Sequence, residues 1–233
     1  MGQSQGMGSA EWDEKFRKAG ALWGEEPSLG AKLAADYFAK RGVRTVLDVA
    51  CGYGKDSVFL AKNGFEVTGV DFSLEGLRLA GERALREGAV VKWMPADVRM
   101  LQMPNASFDG VLCNNIMTLF IRQEREKVAA EIERVLAKGG ALVLSERSLA
   151  GKPKKAREVE PGTFAEDPHS ERGMGPLSRS GEKAGGKEHL HHYFSEKEIQ
   201  ALFSGVKFEK NEEKEETSEK APKPHLLMAG FRK

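Results

Sequence analysis

The sequence predicts an α/β protein: a doubly wound, mostly parallel seven-stranded sheet with helices on both faces and an antiparallel last strand. Three observations carry this expectation. Strand-like and helix-like segments alternate five times between positions 29 and 145, the pattern of a parallel sheet covered on both faces. The first buried run ends in a glycine turn that leads straight into a helical pattern. The last two apolar runs follow one another with no helix between them, as in a hairpin.

Each element has its own signal. Leu29, Leu33, Tyr37 and Phe38 fall on one helical face behind Ser28, a good N-cap. Residues 45–49 form a short apolar strand, and a helix over 55–62 is stopped by Asn63-Gly64. Residues 66–71 read as the second strand. Ser73 and Glu75 open a helix that runs to Gly88. Strands follow over 90–94 and 108–113. Val128, Ile132, Val135 and Leu136 then mark a core-facing helix, ended by Gly139-Gly140, before a fifth strand over 141–145. Residues 147–188 break the pattern, being rich in Gly, Pro, Lys and Glu, and read as an insertion that is either disordered or a lid. A capping box over 195–198 restarts a helix carrying Ile199, Leu202 and Phe203. Strands over 206–209 and 225–229 close the chain, with the charged stretch 210–224 expected as a solvated hairpin loop. Residues 11–233 form one expected domain, after a Gly/Ser/Gln-rich arm at 1–10.

Composition removes several function classes. Lys and Arg number 36 against 35 Asp and Glu, a net charge of +1, so no overall pull toward nucleic acid or membrane is expected. The two cysteines, Cys51 and Cys113, lack the spacing of a disulfide framework or structural zinc site, and suit reduced thiols in a cytoplasmic protein. No apolar run approaches the roughly 20 residues of a membrane span.

The main chemical signal is the loop Asp48-Val49-Ala50-Cys51-Gly52-Tyr53-Gly54. Glycines between a buried strand and a helix let backbone approach a ligand at the carboxyl end of the sheet. Asp71 ends the second strand, where a carboxylate can accept both hydroxyls of a ribose. Asp48 discriminates between cofactors. A pyrophosphate beside it would meet a like charge, whereas a sulfonium and an ammonium would meet an opposite one. Ser57 also replaces the third small residue of the dinucleotide fingerprint. A cationic cofactor is favoured over NAD.

These motifs resemble those of class I S-adenosylmethionine-dependent methyltransferases. The loop at 48–54 is similar to the family's D-x-G/A-C-G-x-G, and Val70-Asp71-Phe72-Ser73 to its V-D-x-S. Ala96-Asp97-Val98 with Leu101, Pro104 and Ser107-Phe108-Asp109 resembles the next motif, and Leu136-Ala137-Lys138-Gly139-Gly140 its L-K-P-G-G turn, with Lys138 before the two glycines. The resemblance spans about residues 40–146. It implies S-adenosylmethionine as cofactor, with Asp48, Gly52 and Gly54 at the methionine end and Ala50, Cys51 and Ser73 also among the cofactor-binding residues. It also implies Asp71 at the ribose, Phe72 on the adenine, Asp97 at the adenine amino group with the Val98 backbone at the ring, and Asn114 over the reacting methyl.

Absences narrow the acceptor. Cys113-Asn114-Asn115-Ile116 is not the N-P-P-Y of nucleobase enzymes, there is no Pro-Cys nucleophile pair, and two cysteines cannot assemble an arsenite site. Trp12-Asp13-Glu14-Lys15-Phe16 and Trp23-Gly24-Glu25-Glu26-Pro27-Ser28 resemble segments of tellurite-resistance and thiopurine-type methyltransferases. That resemblance implies a small-molecule acceptor and an indole wall from Trp12 and Trp23 against the sulfonium. His189, His191 and His192 form the densest titratable cluster. They are read as a substrate-side base or donor, with Tyr193 beside them, or as packing residues; a metal site lacks further ligands. Methylation of a protein or RNA, and non-catalytic cofactor binding, stay open as alternatives.

Overall fold

The computed structural model describes residues 8–166, 189–218 and 221–233. Seven strands form one sheet in the order β3-β2-β1-β4-β5-β10-β9. They are β1 (Thr45–Val49), β2 (Glu66–Asp71), β3 (Val91–Pro95), β4 (Phe108–Asn114), β5 (Leu136–Arg147), β9 (Val206–Ser218) and β10 (Ala221–Arg232). All pairings from β3 to β5 are parallel, whereas β10 runs antiparallel to both β5 and β9. The expected sheet, with its antiparallel last strand, is the one observed.

Strand alternation divides the core between the two faces. Leu47, Val111, Leu142 and Leu144 pack with Val128 and Ile132 of α5 (Arg122–Val135) and Ile199 of α6 (Glu196–Leu202). Val46, Leu112, Ala141 and Val143 pack instead with α2 (Leu29–Lys40) and Leu60 of α3 (Lys55–Lys62). The α4 helix (Leu74–Glu87) lies beside α3 and β3. Polar residues at the carboxyl ends keep this alternation, so Asp48, Asn114 and Ser145 take the α2/α3 side. Strand order reverses at β1, whose neighbours are β2 and β4. Such a switch point opens a crevice at the carboxyl ends of the strands.

The structure departs from two expectations and adds detail to a third. Helix α1 (Ser9–Ala19) begins inside the presumed N-terminal arm, because Trp12 and Phe16 supply a buried face. Residues 210–218 and 221–224 are not loop: β9 and β10 run through them as paired strands, with Asn211 paired to Met228 and Lys214 to His225. Lys210, Glu213, Lys214 and Glu215 are exposed there, so a charge run does not prevent pairing at a sheet edge. Of the presumed insertion, residues 147–166 hold the end of β5, a short 3-10 turn, β6 (Arg157–Glu160) and β7 (Thr163–Glu166). With β8 (His189–His192) these strands form a second, three-stranded antiparallel sheet. Residues 167–188, the rest of the presumed lid, lie outside the described residues, as do 1–7. No helix among the described residues is long and apolar enough to cross a membrane.

Candidate functional site

The glycine loop sits where β1 meets α3. Ala50, Gly52 and Gly54 all have positive φ, at 58°, 55° and 75°. Gly54 has a second reason to be glycine, since a Cβ there would lie 2.7 Å from the Ala80 Cβ and 2.8 Å from the Trp93 ring. Cys51 donates its backbone N–H to the Val70 carbonyl, tying the loop to β2. Both cysteines are free, and burial pushes their thiols up, which leaves them poor nucleophiles.

Three carboxylates are buried around this loop. Asp48 accepts from Ser57 Oγ at 2.5 Å. Burial first, and then Asp56, push it up to about 8. Asp71 accepts from the backbone N–H groups of Gly52 (2.9 Å) and Ser73 (2.8 Å), and burial raises it as well. Asp56 accepts from the Ser28 N–H and Oγ and from Asn114 Nδ2, at 2.8, 2.7 and 3.0 Å. Sequence reasoning missed Asp56. Its signal was available in hindsight: an acidic residue in the first turn of a helix that follows a glycine loop. It joins the α2 cap, the α3 start and the β4 end in one place.

Among the described residues none of the three carboxylates forms an ion pair. Asn114 gives its amide N–H to Asp56, and among the described residues its buried Oδ1 has no hydrogen-bond partner, nor has Ser145 Oγ on the neighbouring strand. Buried anions and orphan acceptors are costly unless a donor or cation meets them. A ligand carrying an ammonium and a sulfonium fits this set; a pyrophosphate would add charge of the same sign.

The N-terminal segment lies over the loop. Phe16 would sit 3.3 Å from a Cβ on Gly52 and 3.0 Å from one on Gly76. Trp23 stacks on Tyr53 with centroids 6.0 Å apart and planes at 15°, and Trp12 lies 5.9 Å from Trp23. Backbone ties hold the segment down. Tyr53 Oη accepts from the Trp23 N–H and donates to the Gly24 carbonyl, and Arg83 pairs with Glu25. Asp13 caps α4 by accepting from Ser73 Oγ (2.6 Å) and the Glu75 N–H (3.0 Å). Phe72 packs against the same aromatic cluster.

The third motif carries an ion pair of its own. Asp97 is held by Arg99, whose Nη2 donates to Oδ2 at 2.7 Å, and this pairing lowers its pKa. Arg99 also reaches Glu124. The Asp97 carboxylate therefore already has a charged donor, while Val98 is buried in the core. Among the histidines, the strand pleat puts His189, His191 and Glu166 on one face of the small sheet and His192 on the other. His192 takes the packing position that the sequence left open beside a substrate-side one. It is fully buried, its Nδ1 is 2.8 Å from Thr163 Oγ1, its Nε2 is 2.8 Å from Glu198 Oε1, and its ring stacks edgewise on Phe194. His191 and Tyr193 instead share a cluster with Glu166 and Arg147. Among the described residues, no group of three or more His, Cys, Asp or Glu is placed to hold a metal.

Comparison with known proteins bears on the family and the fold. Residues 46–140 match the family model described as a methyltransferase domain. The chain is 32% identical to a glycine/sarcosine N-methyltransferase of Aphanothece halophytica over 59% of its own length and 51% of that protein. It spans about half the length of the curated relatives it matches. The structure superposes on a SAM-dependent methyltransferase from Methanosarcina mazei with a TM-score of 0.68 at 24% identity, covering 81% of this chain and 92% of that one. It also superposes on the Burkholderia thailandensis 1,6-didemethyltoxoflavin-N1-methyltransferase, solved with its acceptor and S-adenosylhomocysteine, at a TM-score of 0.67 and 20% identity, covering 96% and 86%. The fold is that of the class I methyltransferases.

Proposed function

We propose that this chain, with its methyltransferase-domain match and class I fold, is an S-adenosylmethionine-dependent methyltransferase acting on a small-molecule acceptor. The observation that carries the reading is the set of buried, unpaired carboxylates Asp48, Asp56 and Asp71 around a glycine loop at the switch point. When bound, the cofactor supplies an electrophilic methyl group on a sulfonium.

The chain's own residues do the rest. Gly52 and Gly54 let backbone approach the ligand closely. Asp48 supplies the charge that a cationic methionine end needs. Asp71 keeps acceptor capacity beyond its two backbone donors for a pair of ribose hydroxyls. The rings of Trp12, Phe16, Trp23 and Tyr53 exclude water, and in a water-poor site the Asp48 charge acts more strongly. Methyl transfer asks mainly for alignment at near-attack distance, and Asn114, fixed by Asp56, stands at the β4 end where that alignment is set. The relatives are enzymes named for glycine, sarcosine and didemethyltoxoflavin, which supports a small acceptor. Two free cysteines support work in the cytoplasm.

Calorimetric titration with S-adenosylmethionine, S-adenosylhomocysteine and NAD tests the cofactor. Micromolar binding of the two adenosyl ligands alone is expected, and binding of NAD alone would overturn the reading. Release of S-adenosylhomocysteine with a small acceptor, and none with RNA or protein, tests the rest.

A further inference from the structure

Four polar side chains converge where the small sheet joins the main one. Glu166, almost fully buried, accepts a hydrogen bond from Tyr193 Oη at 2.6 Å, and its Oε1 lies 3.7 Å from Arg147 Nη1. Arg147 also donates to Tyr193 Oη at 3.3 Å. His191 is equally buried, with its Nδ1 3.4 Å from Glu166 Oε1, too long for a well-formed hydrogen bond. Among the described residues, neither ring nitrogen of His191 has a hydrogen-bond partner, and neither has Glu166 Oε2. A carboxylate oxygen and an imidazole left unpaired this deeply cost free energy unless a ligand meets them.

The cluster stands on the same side of the sheet as the cofactor site. Arg147 is two residues beyond Ser145, which pairs with Asn114. The β8 end is tied down at the carboxyl ends of β4 and β5: Thr118 Oγ1 donates to the His192 carbonyl, and the Phe194 N–H donates to the Arg147 carbonyl. Helix α1 serves both places, since Phe16 covers Gly52 while Lys15 and Glu11 bear electrostatically on His189.

We infer that Glu166 and His191 form the acceptor-binding pair of this site, and that the group they hold is a protonated amine. The inference rests on the methyltransferase reading above. The orphan Glu166 Oε2 offers a charged acceptor to an ammonium N–H, and the His191 lone pair offers a second one. Burial first, and Arg147 next, hold His191 down to about 4, so its lone pair is free at neutral pH. Burial alone would raise Glu166, but His191, Tyr193 and Arg147 bring it down to about 2, so the charge is present. A carboxylate plus a neutral imidazole, with Tyr193 and Arg147 fixing the carboxylate's other oxygen, selects a donor with at least two N–H bonds.

The test uses the full chain saturated with S-adenosylhomocysteine and labelled with ring 15N-histidine, titrated near neutral pH with methylammonium, tetramethylammonium or acetate. Methylammonium is expected to shift the His191 ring resonances saturably, and tetramethylammonium, which has the charge but no N–H, to leave them unmoved. Glu166→Gln, which keeps the shape, is expected to weaken methylammonium binding by at least about tenfold with S-adenosylhomocysteine affinity unchanged. Equal shifts with both cations, no shift with either, or a response to acetate alone would each overturn the inference, the last by making Arg147 an anion site. Calorimetry on the same samples separates the two readings. If S-adenosylhomocysteine binds and methylammonium fails, only the acceptor assignment falls; if S-adenosylhomocysteine does not bind, the cofactor reading fails and takes this one with it.

Discussion

Ala50 is the one residue of the glycine loop with a side chain in a left-handed backbone, φ 58°. An L-residue there carries about 1–2 kcal/mol of strain. Ala50→Gly removes it and adds back about 0.5–1 kcal/mol of chain entropy, so a net gain of about 0.5–1 kcal/mol is expected, read as a Tm rise of about 2 °C. Gly54→Ala goes the other way. It adds the strain and drives a Cβ into Ala80 and Trp93, so it should cost about 2–5 kcal/mol and abolish cofactor binding in a calorimetric titration. The roles proposed for Asp48, Gly52, Gly54 and Asp71 were legible in sequence because a short motif fixes a short loop. Asp56 and Glu166 were not. Asp56 becomes informative only when Ser28 and Asn114, 28 and 58 positions away, meet it, and Glu166 only when the strand pairing opposite His189 is known. Asp97 shows the same limit at short range: the motif pointed to a ligand, and the ion pair with Arg99, two residues away, appears only in the structure.

At the scale of elements, α1 and the segment after it are the least ordinary part of the molecule. Sequence showed the tryptophans but placed the start of order too late, since the polar residues of α1 hide a buried face of Trp12 and Phe16. The helix is fastened to α4 through Asp13, and Asp13→Ala should cost about 1 kcal/mol, as for other lost caps. The sign of its pH dependence follows from its lowered pKa, caused first by the Ser73 hydrogen bond. That stability is present above the unfolded carboxyl value and is lost as pH falls through the lower folded one. A thermal-melt series at decreasing pH should therefore bring wild type and Asp13→Ala together. Trp23 tests the other function of the segment. It is half exposed, at 51%, and stacked on Tyr53, so Trp23→Ala should leave Tm within about 2 °C while lowering S-adenosylmethionine affinity by about tenfold. Unchanged affinity would remove the indole from the cofactor wall. The hairpin of β9 and β10 gives the complementary lesson: charge suggested solvent there, but pairing along a sheet edge satisfies the backbone whatever the side chains carry.

For the whole molecule, the crevice stores unfavourable electrostatics that a cationic ligand would relieve. Asp48 is held near 8 by burial, against an ordinary value of 3.8, so the folded chain keeps a proton there that the unfolded chain has released. Its contribution to stability therefore falls as pH rises from about 4 to about 8, and is level above that. Burial acts in the same direction on Glu146, which accepts from the Met117 and Thr118 N–H groups on the opposite face and is also held near 8. Binding of a cationic cofactor needs Asp48 ionised, so below pH 8 binding must expel a proton. Three consequences can be measured together. Titrations of S-adenosylmethionine in phosphate and in Tris should differ in apparent enthalpy at pH 6.5 and converge by pH 9, the difference being the released proton. Affinity should rise with pH over that interval, more steeply for S-adenosylmethionine than for S-adenosylhomocysteine, which lacks the sulfonium charge. A cofactor excess of about a hundred times Kd should stabilise the chain by about 2.7 kcal/mol, raising Tm by about 5–10 °C, with the larger shift at the higher pH. Asp48→Asn keeps the Ser57 neighbour and removes the titration, so it should flatten the affinity profile and abolish the buffer dependence. A proton still released by that variant would transfer the titration to Asp71, the other carboxylate of the crevice that burial raises.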